Sequence, residues 1–188
     1  YSSVGGGRRN TAAGDFSFAA GRKATIDAAH DGTFMFADQT AVNFDSAAAN
    51  EFAVRASGGV RFYTNAGETA GATMAAGAGS FSSVSARATK ENFTSIDSID
   101  VVEKVAAMSI EEWNYKAQED SIRHIGPMAE DFRAAFNVGD FVGRITSTDA
   151  DGAALAAIQG LNEKLAQELD AKQAEIDRLN DTLAKQNS

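Results

Sequence analysis

A serine and a lysine five residues apart offer the clearest catalytic potential in this chain. Ser85 and Lys90 lie in the segment Ser-Ala-Arg-Ala-Thr-Lys-Glu-Asn-Phe, residues 85–93. A serine hydroxyl becomes a nucleophile when a base removes its proton, and a lysine becomes such a base when desolvation lowers its pKa from about 10.4. This spacing is common by chance, so the pair by itself indicates only a candidate peptidase dyad.

Other site chemistry finds little support in the sequence. The chain has no cysteine and two widely separated histidines, His30 and His124, so neither a cysteine nucleophile nor a zinc site is expected. The acidic run at residues 149–152 is similar to a calcium loop, but that alignment puts Ile158 where a bidentate glutamate is required. We therefore expect no metal and no cofactor.

Composition and charge restrict the partners of the chain. Its 188 residues, 44% of them hydrophobic, predict one or two modest domains. The net charge of −9 disfavours binding to nucleic acid, because such affinity comes largely from clustered lysine and arginine. No stretch approaches the roughly 20 apolar residues that span a bilayer, so membrane insertion is not expected. A chain starting at Tyr1 is expected to be the tail of a longer polypeptide, which makes an upstream domain a partner.

The N-terminal segment, residues 1–64, contains a repeat of constant offset that aligns Phe16 with Phe34 and Phe34 with Phe52. In each copy two bulky residues lie two apart, and a second such pair follows. The second pairs are Ala24 with Ile26, Val42 with Phe44, and Val60 with Phe62. Each repeat therefore predicts two short strands that stack on neighbouring repeats or on other chains. An ordinary antiparallel meander is the alternative.

The next two segments differ in character. Residues 65–84 are mostly small and predict a junction, whereas residues 85–148 predict a small α+β unit. In that unit a strand at 110–116 pairs with one at 121–125, and Pro127 suits the first turn of a short helix. Its other predicted helix begins at a cap, with Ser95, Asp97 and Ser98 as candidates, and has an apolar side of Val101, Val102, Val105 and Met108.

The C-terminal segment, residues 149–188, predicts one long helix capped by Asp149 or Asp151. Its apolar residues follow a heptad pattern with one four-residue stutter, and Lys172 occupies a core position. They are Ile158, Leu161, Leu165, Leu169, Ile176, Leu179 and Leu183. So narrow a stripe predicts a coiled coil with partner helices, in which these residues form the core. The alternative is a helix packed back on its own domain.

The segment after the junction resembles the C-terminal intramolecular chaperone domain of phage tailspikes, tail fibres and endosialidases. That family has a signature close to Ser-Asp-Arg-x-x-Lys-x-Asn, which is matched by Ser85, Arg87, Lys90 and Asn92. The likeness continues through residues 113–116, 123–129 and 149–152. The sequence departs from the family pattern at Ala86, where Asp is usual, and at Glu130, where Gln is usual.

The resemblance implies a homotrimer that registers the preceding fibre and then cleaves itself. Ser85 would be the nucleophile and Lys90 the general base, and the bond cut would flank Ser85, with Val84–Ser85 preferred. Candidates for a supporting role are Asn92, His124 and Glu130. The resemblance also implies a protein made in the bacterial cytoplasm and located in the virion tail fibre, or at the cell surface.

The N-terminal repeats resemble the β-roll heads of trimeric adhesins, a likeness based on Gly14, Ala19, Gly21 and Ala24 within residues 10–64. The expected fold is α+β, with N-terminal stacked repeats in a trimeric β-roll or β-prism stalk and a long C-terminal coiled-coil helix. The alternative function is a passive trimeric adhesin, head and foot, that binds a cell-surface glycan or receptor without peptidase activity. The sequence offers no catalytic carboxylates for a polysaccharide-degrading enzyme.

Overall fold

The chain folds into two compact units that divide after Phe93. A computed structural model describes residues 1–186, with the first unit mainly β-structured and the second mainly helical. The predicted α+β class, with stacked β-structure at the N-terminus and a long C-terminal helix, is confirmed. Among the described residues, no helix is both long enough and apolar enough to cross a bilayer.

The first unit begins with a β-solenoid of about three turns, built from two parallel sheets. One sheet has the strand order β1 (Ser3–Arg8), β3 (Phe18–Arg22), β5 (Phe34–Ala37) and β7 (Phe52–Arg55). The other has the order β2 (Thr11–Ala12), β4 (Ala24–Ile26) and β6 (Phe44–Asp45). Each turn thus adds one strand to each sheet, as the two predicted strands per repeat require.

The interior of the solenoid is filled by alanines and two larger aliphatic side chains. The fully buried core consists of Ala19, Ala24, Ile26, Met35 and Ala37. Successive turns approach very closely at Gly21, where φ is +93° and a Cβ atom would lie 1.7 Å from the carbonyl oxygen of Ala37. Only glycine fits this backbone conformation and this spacing.

The predicted constant offset of the repeat is wrong for the first interval of one sheet, and it is also wrong in the other sheet, where Ala24 pairs with Phe44 and not with Val42. In the parallel sheet Phe34 pairs with Phe18 on one side and with Phe52 on the other, so the first interval is the shorter one. Phe16, which the repeat aligned with Phe34, instead lies in a turn with φ of +56°. A shift from Phe16 to Phe18 keeps every side chain on its face of the sheet, so the alternating pattern does not distinguish these registers.

An antiparallel sheet follows the solenoid, in the order β10 (Ser82–Ser83), β9 (Gly71–Ala75) and β8 (Gly59–Tyr63). Val60 and Phe62, predicted as a third repeat pair of the stacked strands, belong to β8 and pair with β9. The segment predicted as a junction therefore contributes β9 and β10 to this sheet.

Arg55 connects parts of the last turns of the solenoid by hydrogen bonds. Its guanidinium donates to the carbonyl oxygens of Val42 at 2.9 Å, Thr40 at 3.1 Å and Arg22 at 3.3 Å. Its Nε atom also donates to Asp38 at 3.3 Å. Hydrogen bonds from Ser57, and then those from Thr40, hold the pKa of Asp38 well below its usual range.

The second unit contains three helices and a hairpin: α1 (Ser98–Ala107), β11 (Glu111–Trp113), β12 (His124–Gly126), α2 (Ala129–Phe136) and α3 (Ser147–Gln186). Asp97, one of the three candidate caps, accepts hydrogen bonds from the backbone amides of Ile99 and Asp100. The predicted hairpin is present, with Trp113 paired to His124 in antiparallel strands that are shorter than expected.

Two predicted helix starts need correction. Pro127 precedes Met128, the cap of α2, and so lies outside the first turn of that helix. Helix α3 begins earlier than Asp149 or Asp151, because the Thr146 side chain satisfies its first turn. The Thr146 hydroxyl accepts from the Asp149 amide at 3.1 Å and donates to the Asp149 carboxylate at 2.8 Å.

Candidate functional site

A short 3-10 helix, Arg87–Thr89, returns the chain so that Lys90 meets Ser85. The turn is closed at Ala86, whose carbonyl oxygen accepts from the Thr89 amide at 3.0 Å and from the Thr89 hydroxyl at 2.8 Å. The Lys90 Nζ atom then lies 2.7 Å from the Ser85 Oγ atom and donates to it. The structure thus brings together the predicted nucleophile and base at hydrogen-bond distance.

The bond before Ser85 is held at the end of a strand. Val84 directly follows β10, and its amide donates to the carbonyl oxygen of Gly71 at 3.0 Å. This contact fixes the backbone on the amino side of Ser85, while Ser85 itself is exposed. The bond predicted to be cut therefore lies between the anchored Val84 and the exposed Ser85.

The residues around the pair are also exposed in the single chain. The Arg87 guanidinium lies 4.4 Å from the centre of the Phe93 ring, which is a cation–π contact. Asn92 adopts a left-handed conformation with φ of +56°, which asparagine tolerates better than most residues. Over residues 1–186, no group of three His, Cys, Asp or Glu side chains is arranged to hold a metal ion.

The other two supporting candidates lie in the second unit. His124 lies beside Trp113, with ring centres 4.9 Å apart, and its Nε2 atom is 2.9 Å from the Gln118 Oε1 atom. These contacts are those of a packed, hydrogen-bonded histidine. Glu130 lies in the first turn of α2 and lines an open cleft together with Trp113 and Arg144.

The leucine stripe of α3 has no cover within the described part of the chain. Each of its seven residues is between 50% and 64% exposed; they are Ile158, Leu161, Leu165, Leu169, Ile176, Leu179 and Leu183. Lys172, at the interrupted core position, pairs with Glu175 at 3.0 Å on the helix surface. These exposed and regularly spaced residues form a continuous apolar surface along one side of the helix.

The opposite face of α3 packs on α1 through small residues. Ala156 and Gly160 are buried there, and a Cβ atom on Gly160 would lie 2.0 Å from the Ser98 carbonyl oxygen. At the edge of this contact the Ser98 hydroxyl donates to Glu163 at 3.0 Å, and Lys164 pairs with Glu103 at 3.1 Å. The helix does pack back on its own domain, but through a face that leaves the leucines open.

This small-residue face was not predicted from the sequence. The signal was present as Ala153, Ala156 and Gly160, spaced three and four residues apart on one side of a helix. Such a pattern also occurs on exposed helices, where alanine is simply a good helix former. The pattern therefore has no unique meaning until the position of α1 is known.

Fold and site together define a class of protein: a β-solenoid segment, a serine–lysine contact after it, and an α+β unit whose long helix keeps an open apolar stripe. Residues 85–139 match the family model described as chaperone of endosialidase. The match confirms that this segment resembles the C-terminal intramolecular chaperone domain of tail-fibre and endosialidase proteins. It also supports a chaperone role for a tail-fibre-like protein. No curated protein matches the chain.

Proposed function

We propose that this chain is the folding and trimerisation module of a tail-fibre-like virion protein, and that it releases itself from the fibre by a single cut. The observation that carries the proposal is the leucine stripe of α3, which faces away from α1 and is at least half exposed at every position. The family match over residues 85–139 supports self-association of this kind.

The stripe offers enough free energy to hold helices together. Fully burying one leucine or isoleucine contributes about 1.5–3 kcal/mol, so covering the exposed half of each side chain contributes about 1 kcal/mol. Seven such positions give roughly 7 kcal/mol per chain before the entropy of association is subtracted. Three parallel helices would cover the stripe, since each places its leucines against those of two neighbours.

The proposed cut uses the observed contact between Lys90 and Ser85. The Lys90 amine takes the proton of the Ser85 hydroxyl, and the Oγ atom attacks the carbonyl carbon of Val84. The bond between the Val84 carbonyl carbon and the Ser85 nitrogen breaks as that nitrogen receives the proton, which leaves an ester between Val84 and the Ser85 Oγ atom. Water then hydrolyses the ester to a Val84 carboxylate and restores the Ser85 hydroxyl.

Assembly would control this reaction by excluding water from Ser85 and Lys90. A lysine amine accepts a proton at neutral pH only when its surroundings disfavour the charged form, as exclusion of water does. Ser85 and Lys90 are exposed in the single chain. We infer that neighbouring copies supply the missing cover, so that cleavage waits for the assembled trimer. Separation of the module after folding would then make assembly a one-way step.

The experiment compares the native mass of the protein with its fragment masses under denaturing conditions. The expected result for the wild type is chains cut beside Ser85, with the C-terminal fragment recovered as a trimer. Ser85→Ala and Lys90→Ala should leave trimers of intact chains, whose native mass exceeds that of the released fragment. Lys90→Arg is the matched control for charge, because arginine keeps the positive charge but does not act as a base, and it too should remain uncut.

Two outcomes separate the parts of the proposal. A monomeric native mass would refute the trimerisation module itself. A trimer whose wild-type chains stay intact would refute the peptidase alone, and it would favour the passive adhesin head and foot. Ala86 makes that comparison important, because the family signature has an aspartate at this position beside the nucleophile.

A further inference from the structure

The outer face of the solenoid carries two rows of apolar side chains that follow the stacking direction. The ring centres of Phe18 and Phe34 are 4.9 Å apart, those of Phe34 and Phe52 are 5.1 Å apart, and the planes differ by 8° and 18°. The second row follows from the same strand pairing. We call the six residues of both rows the aromatic ladder: Phe18, Phe34, Phe52, Ala20, Phe36 and Val54.

The ladder is exposed over most of its length. The exposed fractions are 39% for Phe34, 40% for Phe36, 67% for Phe52 and 37% for Val54. Gly5 lies against the Phe18 ring, since a Cβ atom there would be 2.2 Å from it, and so the glycine-rich β1 covers this end. No member of the ladder has a polar side chain. The two rows therefore form an apolar, regularly spaced surface.

We propose that the aromatic ladder is the surface through which copies of this chain join along their solenoids, which rests on the self-association proposed above. The spacing and the chemistry of the ladder indicate which partner binds it. A complementary surface must repeat at the strand separation of about 4.8 Å, and a second copy of this solenoid has that repeat. A glycan site would need hydrogen-bonding side chains among its aromatic groups, and the ladder offers none.

The area of the ladder indicates that it does not drive association alone. With ordinary side-chain sizes, the exposed fractions correspond to about 350 Å² per copy, whereas a stable interface needs about 800 Å² per partner. The difference has to come from elsewhere in the chain, and the leucine stripe of α3 provides a second apolar surface. The solenoids would then join once α3 has gathered the copies and raised their local concentration.

A periodic ladder also leaves the register of the copies weakly defined. Sliding one copy by a single turn brings Phe34 against Phe52 and Phe36 against Val54, so apolar contact is largely preserved. The stripe of α3 is less tolerant of sliding, because Lys172 and the four-residue stutter interrupt its repeat. The ladder supplies contact, therefore, and α3 selects the register.

The test uses single cysteines, which the natural chain lacks. Val54→Cys is placed in the full-length protein together with Ser85→Ala, so that the solenoid stays joined to α3, and is treated with a short bifunctional maleimide. Ala20→Cys serves as a second ladder position. Both should cross-link copies within the trimer. The matched control is Ala49→Cys, an exposed turn residue between β6 and β7, which should remain uncross-linked.

Register is tested by co-expressing Phe36→Cys and Val54→Cys chains that carry different tags. Peptide mass spectrometry should find each position linked to its own kind in the wild-type background. Links between positions 36 and 54 should rise several-fold when Leu161→Ser and Leu165→Ser weaken the α3 stripe.

The outcomes distinguish the ladder from the proposed function. A trimer in which Val54→Cys reacts freely with a monofunctional maleimide and does not cross-link would overturn the ladder proposal, and would leave that face open to another ligand such as a glycan. The trimerisation module would stand in that case. A monomer by native mass would overturn both.

Discussion

The contact between α1 and α3 predicts opposite effects for the same substitution at two glycines of one helix. Gly160→Ala and Gly152→Ala each replace a helical glycine of α3, which by propensity alone stabilises by about 1 kcal/mol. At Gly152 an added Cβ atom meets nothing within 4 Å, so this gain should be kept. At Gly160 it would lie 2.0 Å from the Ser98 carbonyl oxygen and 2.7 Å from the Val102 side chain.

The cost at Gly160 is large because the obstacle is backbone. A flexible side chain could rotate away, but the Ser98 carbonyl belongs to the first turn of α1, so the whole helix must move. Overpacking of this kind typically costs about 1–3 kcal/mol. After the propensity gain we expect Gly160→Ala to destabilise the second unit by up to about 2 kcal/mol, which places it about 1–3 kcal/mol below Gly152→Ala.

The assay is urea unfolding followed by the fluorescence of Trp113, the single tryptophan of the chain, which lies in the second unit. Both variants must be compared at one protein concentration, because association adds to apparent stability. If Gly160→Ala proves as stable as Gly152→Ala, then α3 does not pack closely on α1 through its small residues. The account of the free leucine stripe would lose its basis with it.

Three further substitutions test the solenoid and the start of α3. Folding lowers the pKa of Asp38, so its ionised form stabilises the folded state above about pH 4, and this stability is lost as the pH falls toward the lowered pKa. Asp38→Asn should therefore make hydrogen exchange in β5 and β7 less sensitive to acid. Arg55→Lys should destabilise the solenoid by about 2 kcal/mol, because lysine lacks the fork that reaches several carbonyl groups, and faster exchange in the same strands would show it. Thr146→Ala should cost about 1 kcal/mol by removing the cap of α3, measured by the fluorescence unfolding described for the glycines.

The elements that sequence predicts well are those whose period is unambiguous. The heptad spacing of α3 predicts a long helix and the polar turn between β11 and β12 predicts a hairpin, and both elements are present. The register of the solenoid is different, because a two-residue shift preserves the alternation that the prediction uses. The pairing of Phe18 rather than Phe16 with Phe34 depends on the turn, where Phe16 adopts a left-handed conformation.

The sequence also did not indicate which side chains lie inside the solenoid and which lie outside it. Bulky residues two apart do share a face, as expected, but in β5 that face is the outer one, and Met35 and Ala37 lie inside. The narrow interior is filled by three alanines with Ile26 and Met35, while the rings of Phe34, Phe36 and Phe52 remain outside. Hydrophobic size therefore misleads wherever the chain coils too tightly to enclose a phenyl ring.

The candidate site shows a similar division between residue identity and geometry. Sequence resemblance identified Ser85 and Lys90, yet a spacing of five residues does not by itself bring two side chains together on a helix. The contact exists because a single 3-10 turn, closed at Ala86, folds Lys90 back over Ser85. Ala86 adopts an extended conformation at the start of that turn, and its contribution to the observed contact is its backbone carbonyl.

The two faces of α3 explain how one helix can serve both folding within a chain and association between chains. Small residues at Ala156 and Gly160 allow α1 to approach closely, which buries backbone and few large side chains. The large apolar residues remain on the other side, where a single chain has nothing to cover them. A chain that buried its leucines within its own fold would gain no apolar burial by associating. A chain without the small-residue face would have no close packing of α3 on α1. Division of the helix into these faces would let the second unit fold within one chain and still keep its leucines for the proposed association.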